Sequence, residues 1–486
     1  MSEYRSPKLA KTVLTDTASL AQFSKDMVYA GTPEYALKAR DWQDVSEVLT
    51  TCHQQEIPVT PCGSQTSMTG SSVADSGLAL SLTGLNKFFD FRPQADGTAL
   101  IDCEPGVILG DLKRFAAANS YFYPPDPTSF NEATLGATVA TNATGEDTYA
   151  YGPTRRYIEA LDVLKADGSS QILTRQKPLV HSILKNTAGY FLDGESIDTL
   201  IGSEGTLAVF KKITVRVLSA QGRDTVLLIL PFSNFAKTLA AVQQLAQAPL
   251  QPRAIELIGP GAADYFKMHT ACPIELKNEA SFLYVKIEYD ASYSIEPILD
   301  SWMTQLTSLY DAVSDTPSLA RVFVATTDAQ KEAIRLCRHF IPLKVNEDYF
   351  PYRAQGGGKI GTDWWVPLQH MPEMMLKTFT AAQTLKIPFL VFAHIGNGHP
   401  HWNFLTRNAE ENAKAKAFVL EQGRQAVAFG GGVAGEHGIG KIKRDLLAIQ
   451  HDAKTIARMR ALKQQWDPKN LLGRGNLFAP STNDKP

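Results

Sequence analysis

An α+β protein of more than one domain is the fold class that this sequence predicts, on three observations. The chain has 486 residues, beyond the roughly 250–300 at which a single hydrophobic core stops growing. Its middle alternates apolar, β-branched runs, Thr225–Leu230 and Ser281–Ile287, with helix-like stretches at 233–246 and 294–312. That rhythm suggests an antiparallel sheet with helices on one face. Its first half instead carries long tracts of Gly, Ala, Ser, Thr and Asn, which are poor core material but leave a backbone free to close on a flat, polyhydroxylated ligand.

Composition narrows the partners. With 48 basic and 50 acidic residues and no long run of either sign, a solvated, mixed-charge surface is expected, and no nucleic acid or anionic membrane partner. The opening Met1-Ser-Glu-Tyr-Arg-Ser-Pro7 has no apolar signal core and no stretch is long enough to span a bilayer, so a cytoplasmic protein is expected. Cys52, Cys62, Cys103, Cys272 and Cys337 are odd in number and include no Cys-x-x-Cys. They read as reduced core residues, with no disulfide framework or iron–sulfur cluster.

Taken in order, Asp41–His53 is an amphipathic helix with Val45, Val48, Leu49 and Cys52 on its apolar face, followed by a short strand, Ile57–Thr60. The loop Pro61–Ser72 (P-C-G-S-Q-T-S-M-T-G-S-S) offers a row of N–H and hydroxyl donors that suits a pyrophosphate, although an ordinary polar turn has the same composition. Strands are predicted at Gly77–Leu82 and Ala99–Cys103, and a helix over Val107–Asn119. Pro124–Ser129, Thr134–Gly145 and Tyr151–Arg156 form a second small-residue tract. Ile201–Leu207 (I-G-S-E-G-T-L) is a third, before the strand Ile213–Leu218. Further on, Gln330–His339 is a helix bearing Arg335 and Arg338, and Gln355–Pro367 is a Gly-rich loop entering a strand and bearing Lys359.

The densest chemistry lies in Val391–Lys443, which holds four of the ten histidines. Pro388–Ala393 reads as a buried strand ending at His394 and His401–Leu405 as its partner, with the Gly/Pro turn of H-I-G-N-G-H-P-H between. Side-chain alternation places His401 and Asn403 on one face, and the short turn sets His394 beside His401. A helix over Ala409–Phe429 returns the chain and delivers Glu436 and His437 in G-E-H-G-I-G. Two imidazoles and a carboxylate, His394, His401 and Glu436, are a usual ligand set for a catalytic divalent metal, zinc or manganese, leaving His437 free as a base. Histidines that are merely hydrogen-bonded in a tight hairpin are the plainer alternative. Ala453–Trp466 is a last helix, stopped by Asp467-Pro468.

The three tracts resemble the flavin-binding signatures of the vanillyl-alcohol oxidase and p-cresol methylhydroxylase superfamily. Asn186–Tyr190 (N-T-A-G-Y), I-G-S-E-G-T-L, and H-x-G-x-G-x-x-H with E-H-G-I-G resemble its branch of FAD-linked D-lactate, glycolate and D-2-hydroxyglutarate dehydrogenases. The resemblance runs from about residue 37 to 478. It implies a two-subdomain FAD-binding domain of the p-cresol methylhydroxylase type over 1–220, a substrate (cap) domain over 221–450 with an antiparallel sheet, and a C-terminal segment, 451–486, returning to the FAD domain. FAD is expected against Pro61, Cys62, Gly63, Ser64, Gln65, Thr66, Ser67 and Thr69, then Pro125 and Asp126, then Thr134, Gly136, Ala137, Thr141, Asn142 and Gly145. Tyr151, Gly152, Glu204 and Gly205 complete that set, with the adenine end near Ile213. Relatives hold the substrate carboxylate with Arg and Lys from the segments that contain Arg338 and Lys359.

Departures from the family pattern matter. Cys62 stands where relatives often carry arginine, and Gln65 stands where some carry a histidine joined covalently to flavin, so FAD is expected to be non-covalent. Asn397 and His399 replace an acid and an amide in the histidine turn, an exchange expected either to alter what surrounds the metal ligands or to offer a competing ligand. Gly473-Arg474-Gly475 replaces the usual Asn-Pro-Gly of the tail.

The reading is an FAD-dependent 2-hydroxy-acid dehydrogenase. His394, His401 and Glu436 hold the metal, Arg338 and Lys359 the carboxylate, Asn403 orients the substrate, and His437 takes the hydroxyl proton. A homodimer is expected, with a quinone, a cytochrome or an electron-transfer flavoprotein as acceptor. The rivals are an alcohol or sugar oxidase using oxygen, and a flavin-carrying subunit of a larger electron-transfer complex. Rossmann-type NAD chemistry ranks third, because no G-x-G-x-x-G opens a helix after a strand.

Overall fold

The structure, a computed structural model, describes residues 13–177, 185–274 and 281–480; the reading of Met1–Pro7 lies outside them. Two sheets form the N-terminal part. The first is parallel, with Leu78–Ser81 between Tyr35–Lys38 and Val59–Cys62. Its crossover helix, Trp42–Gln55, begins where the Asp41 side chain accepts from the Asp44 N–H, ends on Glu56 in the left-handed region (φ 57°), and buries Val45, Val48, Leu49 and Cys52 as its spacing predicts. The second sheet is antiparallel, in the order Phe88–Pro93, Ala99–Cys103, Val209–Ser219, Ile158–Leu164, Ser170–Thr174. Its inner face joins Ile101, Cys103, Ile213 and Val215 to the helix Leu109–Ala118 in one core. The small-residue tracts include the short helix Leu135–Ala140, capped by the Thr134 side chain, and they share one cavity with residues of the third sheet.

The third sheet has seven antiparallel strands in the order Phe323–Ala325, Arg223–Phe232, Ser281–Asp290, Ala254–Ile258, Phe389–His394, His399–Thr406, Gly358–Gly361. The expectation of helices on one face is corrected here, because both faces are covered. Val226, Leu228 and Leu230 pack under the helices Phe235–Gln247 and Glu296–Ala312, while Leu227 and Ile229 pack on the opposite side against Ala262–Met268 and Asp328–Tyr349. The strand explains it: Val226 to Phe232 is an unbroken buried run rather than an alternating one. Leaving Leu227 and Ile229 uncovered would forgo about 3–6 kcal/mol of burial.

The helix Asp328–Tyr349 is longer than the predicted Gln330–His339. It starts with a capping box of Thr327 and Gln330 and continues through Pro342. After the final helix, Ala453–Trp466, the chain returns to the parallel sheet: the Val59 N–H donates to Leu471 O (2.8 Å) and the Gly473 N–H to Val59 O (2.8 Å). Lys463 is buried there, bonded to Asp467 and to the carbonyls of Thr206 and Leu472. Among the described residues no helix is long and apolar enough to cross a membrane.

Candidate functional site

The site begins at the hairpin Phe389–His394/His399–Thr406. Its register sets Phe392 opposite His401 and His394 opposite His399, and the rings of His394 and His401 lie 5.6 Å apart. The turn needs Gly398, which sits at φ 63° with Val366 O only 2.0 Å from where a Cβ would be. The helix Ala409–Ala428 then carries the chain back to Val433 and Ala434, which belong to the core of the second sheet. The loop Gly435–Gly440 thus emerges between the two halves of the molecule. At its head a Cβ on Gly435 would lie 2.5 Å from the His399 ring, so only glycine lets the loop pass this close.

Glu436 meets the histidines from that loop. Its Oε1 is 3.0 Å from His401 Nε2 and its Oε2 3.3 Å from His394 Nε2. One donor atom from each of the three side chains lies within 4.8 Å of the others. His394 Nδ1 is held by Glu256 Oε1 at 2.7 Å, the carboxylate–histidine support typical of metal ligands. Burial alone would raise the Glu436 pKa, but Lys185 (3.1 Å from Oε2) and His394 hold it well below the usual carboxylate range. Thr144 Oγ1 also donates to Oε2 (2.8 Å). Burial lowers the pKa of His401, whereas Glu256 and Glu436 override burial at His394 and raise it. An ionised carboxylate, a neutral imidazole and a second imidazole oriented by a carboxylate are the donor set that a divalent cation takes, so these residues fit one.

A cavity of about 1230 Å³ opens beside this cluster, larger than the roughly 300–1,000 Å³ of ordinary small-molecule pockets. One wall is made of Pro61, Cys62, Gly63, Gln65, Thr66, Ser67, Thr134, Gly136, Ala137, Thr141, Gly145, Glu204 and Gly205, and the other includes Arg338, Lys359, His394, His401, Asn403, Glu436 and His437. The first wall fits FAD in kind. A Cβ on Gly63 would lie 2.2 Å from Thr134 Oγ1 and one on Gly145 1.9 Å from Asp126 O, so only glycine lets these tracts pack this closely along the cavity, and the Ser72 hydroxyl on this wall is buried without a partner. Gln65 and Glu204 hold left-handed backbone (φ 54° and 53°), strain of the kind kept where a loop must face a ligand. The Gln65 amide donates to Phe23 O and Ser72 O. Glu204, pushed up to about 7 by burial, accepts from the Ile439 and Gly440 N–H groups at 2.8 Å each.

Eight of the residues expected to touch FAD lie off this wall: Ser64, Thr69, Pro125, Asp126, Asn142, Tyr151, Gly152 and Ile213. The structure gives several of them other work. Asp126 pairs with Lys113 (2.6 Å), the Asn142 side-chain Oδ1 accepts from the Arg155 backbone N–H (2.9 Å), Tyr151 donates to Glu288, and Ile213 is at the centre of its sheet.

The substrate-side residues converge, with one difference from expectation. Arg338 reaches the cavity wall, but its Nη2 is already bonded to Glu256, the carboxylate that also holds His394. Its guanidinium is therefore tethered rather than free. Lys359 is unlike it: burial, and then nearby Arg353, push its pKa down to about 8. The Asn403 amide donates to His401 O (3.0 Å). His437 is partly open to the cavity, with Nδ1 3.3 Å from Asp363 Oδ1 and Nε2 3.6 Å from Glu436 Oε1.

Sequence reasoning missed Glu256, Asp363, Lys185 and Thr144. Glu256 had a signal: it is the sole charged residue in Ala254-Ile-Glu-Leu-Ile258, where a bare charge would be prohibitive. Asp363 had a weaker one, standing between a Gly-rich loop and Trp364-Trp365.

Residues 33–174 match the family described as FAD binding domain, and residues 222–477 the one described as FAD linked oxidases, C-terminal domain. The chain is 28% identical over 459 residues to D-lactate dehydrogenase of Anaerostipes hadrus, covering 92% of this chain and 89% of that one. It is 27% identical to glycolate oxidase subunit GlcD of Bacillus subtilis (93% and 90% covered) and 25% identical to D-2-hydroxyglutarate dehydrogenase of Stutzerimonas stutzeri (96% of each). Among solved structures, alkyldihydroxyacetonephosphate synthase shares the fold at a TM-score of 0.64 and 16% identity, covering 96% of this chain and 82% of that one.

Proposed function

Because this chain belongs to the FAD-linked oxidases, we propose that it oxidises a 2-hydroxy acid of the D-lactate, glycolate or D-2-hydroxyglutarate class to the 2-oxo acid, with FAD held non-covalently in the cavity. The observation that carries the reading is the wall opposite the small-residue tracts, where His394, His401, Glu436, Arg338, Lys359, Asn403 and His437 face one space. The small-residue wall would hold FAD, which would supply a hydride acceptor for the Cα hydrogen, and His394, His401 and Glu436 would hold a divalent cation, which would supply a Lewis acid for the hydroxyl. Lys359 and the tethered Arg338 hold the carboxylate. Asn403 orients the substrate, and His437 Nε2 accepts the hydroxyl proton.

Reduction of the bound flavin by D-lactate, glycolate and D-2-hydroxyglutarate, each chiral acid set against its L-isomer with a dye as acceptor, tests the reading. One of these acids should bleach the flavin at 450 nm and sustain dye turnover. A flavin that stays oxidised with all of them, or that prefers an L-isomer, sinks it.

A further inference from the structure

We propose that Asp363 is a positioning residue for the reaction: it fixes the tautomer of His437, keeping the proton on Nδ1 so that the Nε2 lone pair faces the reacting hydroxyl. The inference rests on His437 being the base, and it goes beyond that reading by naming what makes the histidine competent.

Asp363 is 4% exposed and follows the strand Gly358–Gly361. Both of its oxygens are occupied. Oδ1 accepts from His399 Nε2 (3.0 Å) and the Glu436 N–H (3.4 Å) and lies 3.3 Å from His437 Nδ1; Oδ2 accepts from Lys443 Nζ (2.9 Å) and the His437 N–H (3.2 Å). With Lys443 beside it this carboxylate has no proton to give, so in its contact with the ring Nδ1 must be the donor. One group thus holds both the backbone and the ring of His437.

The opposite nitrogen is then the acceptor. Nε2 sits 3.6 Å from Glu436 Oε1 and so points at the cluster on which the substrate hydroxyl is read to lie. In the step itself the O–H bond breaks, its proton goes to Nε2, the Nδ1–H stays with Asp363, and the positive ring that results rests beside a fixed negative charge. The same division of labour holds between the aspartate and histidine of serine-protease triads.

Asp363→Asn separates this role from simple support. Its carbonyl should stay with the stronger donor, the Lys443 ammonium, which turns the amide NH₂ toward His399 and His437. That NH₂ donates to Nδ1, and the His437 proton moves to Nε2. The variant holoenzyme should keep wild-type flavin and metal content. ¹⁵N shifts of histidine-labelled protein should move the His437 proton from Nδ1 to Nε2. The rate of flavin reduction by whichever of the three acids reduces the wild type should fall by about two to four orders of magnitude, with substrate Kd changed less than about threefold. In a His437→Ala background the same substitution should cost no more than about twofold further, because the two residues act as a unit.

Wild-type reduction rates in Asp363→Asn, an unmoved His437 proton, or a full additional loss on the His437→Ala background would each overturn the inference. Loss of flavin or metal from Asp363→Asn would overturn it as well, by making Asp363 a strut. If His437→Ala alone reduces flavin at the wild-type rate, it is the base assignment that fails.

Discussion

Lys359→Met should stabilise the substrate-free protein at neutral pH while damaging its affinity for hydroxy acids. Burial takes the Lys359 ammonium from 10.5 to about 8, which at 1.36 kcal/mol per pH unit is about 3 kcal/mol against folding with the charge in place. The sign follows from proton counts. Between pH 8 and 10.5 the unfolded chain holds the proton and the folded one has released it, so stability from this group rises with pH across that window and the penalty is complete below it. The advantage of Lys359→Met should therefore be about 3 kcal/mol at pH 7 and about 1 kcal/mol at pH 9.5. Urea midpoints of the two proteins at pH 7.0 and 9.5, with no hydroxy acid present, measure it. KM of the parent should climb above pH 8 as the ammonium is lost, and KM of the variant should be high at every pH. A variant less stable than its parent at pH 7, or a difference that does not shrink by pH 9.5, would refute the claim that Lys359 is held charged at a cost.

Other outcomes follow from the same site. Acid precipitation should release all FAD into the supernatant, because Gln65 stands at the tether position and its amide is bonded to Phe23 O and Ser72 O; yellow colour remaining with the pellet would contradict this. Arg338→Lys should raise KM about tenfold or more and also weaken metal retention, since a lysine replaces only part of the bond that steadies Glu256 and through it His394; an unchanged KM would remove Arg338 from the carboxylate site. Glu436→Gln should lower bound zinc or manganese, read by elemental analysis of dialysed protein, by about tenfold or more while FAD stays bound. His437→Ala should keep metal and flavin but lose two to four orders of magnitude in kcat, and a retained kcat would end its role as base.

The legible part of the site was the part written locally. His394, His401 and Glu436 could be grouped because a two-strand hairpin and one returning helix suffice to join them. Residues supplied from a distance left little trace: Lys185 reaches Glu436 across 251 positions and Glu256 reaches His394 across 138. In the fold, long elements with clear periods were recovered, among them Ala453–Trp466 and the core of Trp42–Gln55. Of the parallel sheet two strands were read, Ile57–Thr60 and Gly77–Leu82, but neither Tyr35–Lys38 nor the parallel pairing was, because strands of four residues, the central one buried at every position, carry no alternation that fixes a partner. The same blindness hid the second helical layer behind Val226–Phe232.

The loop Gly435–Gly440 has anchors on both sides. Lys185, Thr144, Thr187 and Glu204 hold it from the N-terminal half, and Asp363 from the sheet it faces. Neither half therefore owns the chemistry, and neither is an interchangeable part. A hybrid that joined this N-terminal half to the C-terminal half of a distant relative would inherit a buried ammonium, Lys185, and two acceptors, the Thr187 hydroxyl and the Glu204 carboxylate, cut to the measure of one particular loop. Recombination between lineages should thus succeed only where the crossover carries both sets of anchors together, and the two halves of the gene are expected to diversify in step.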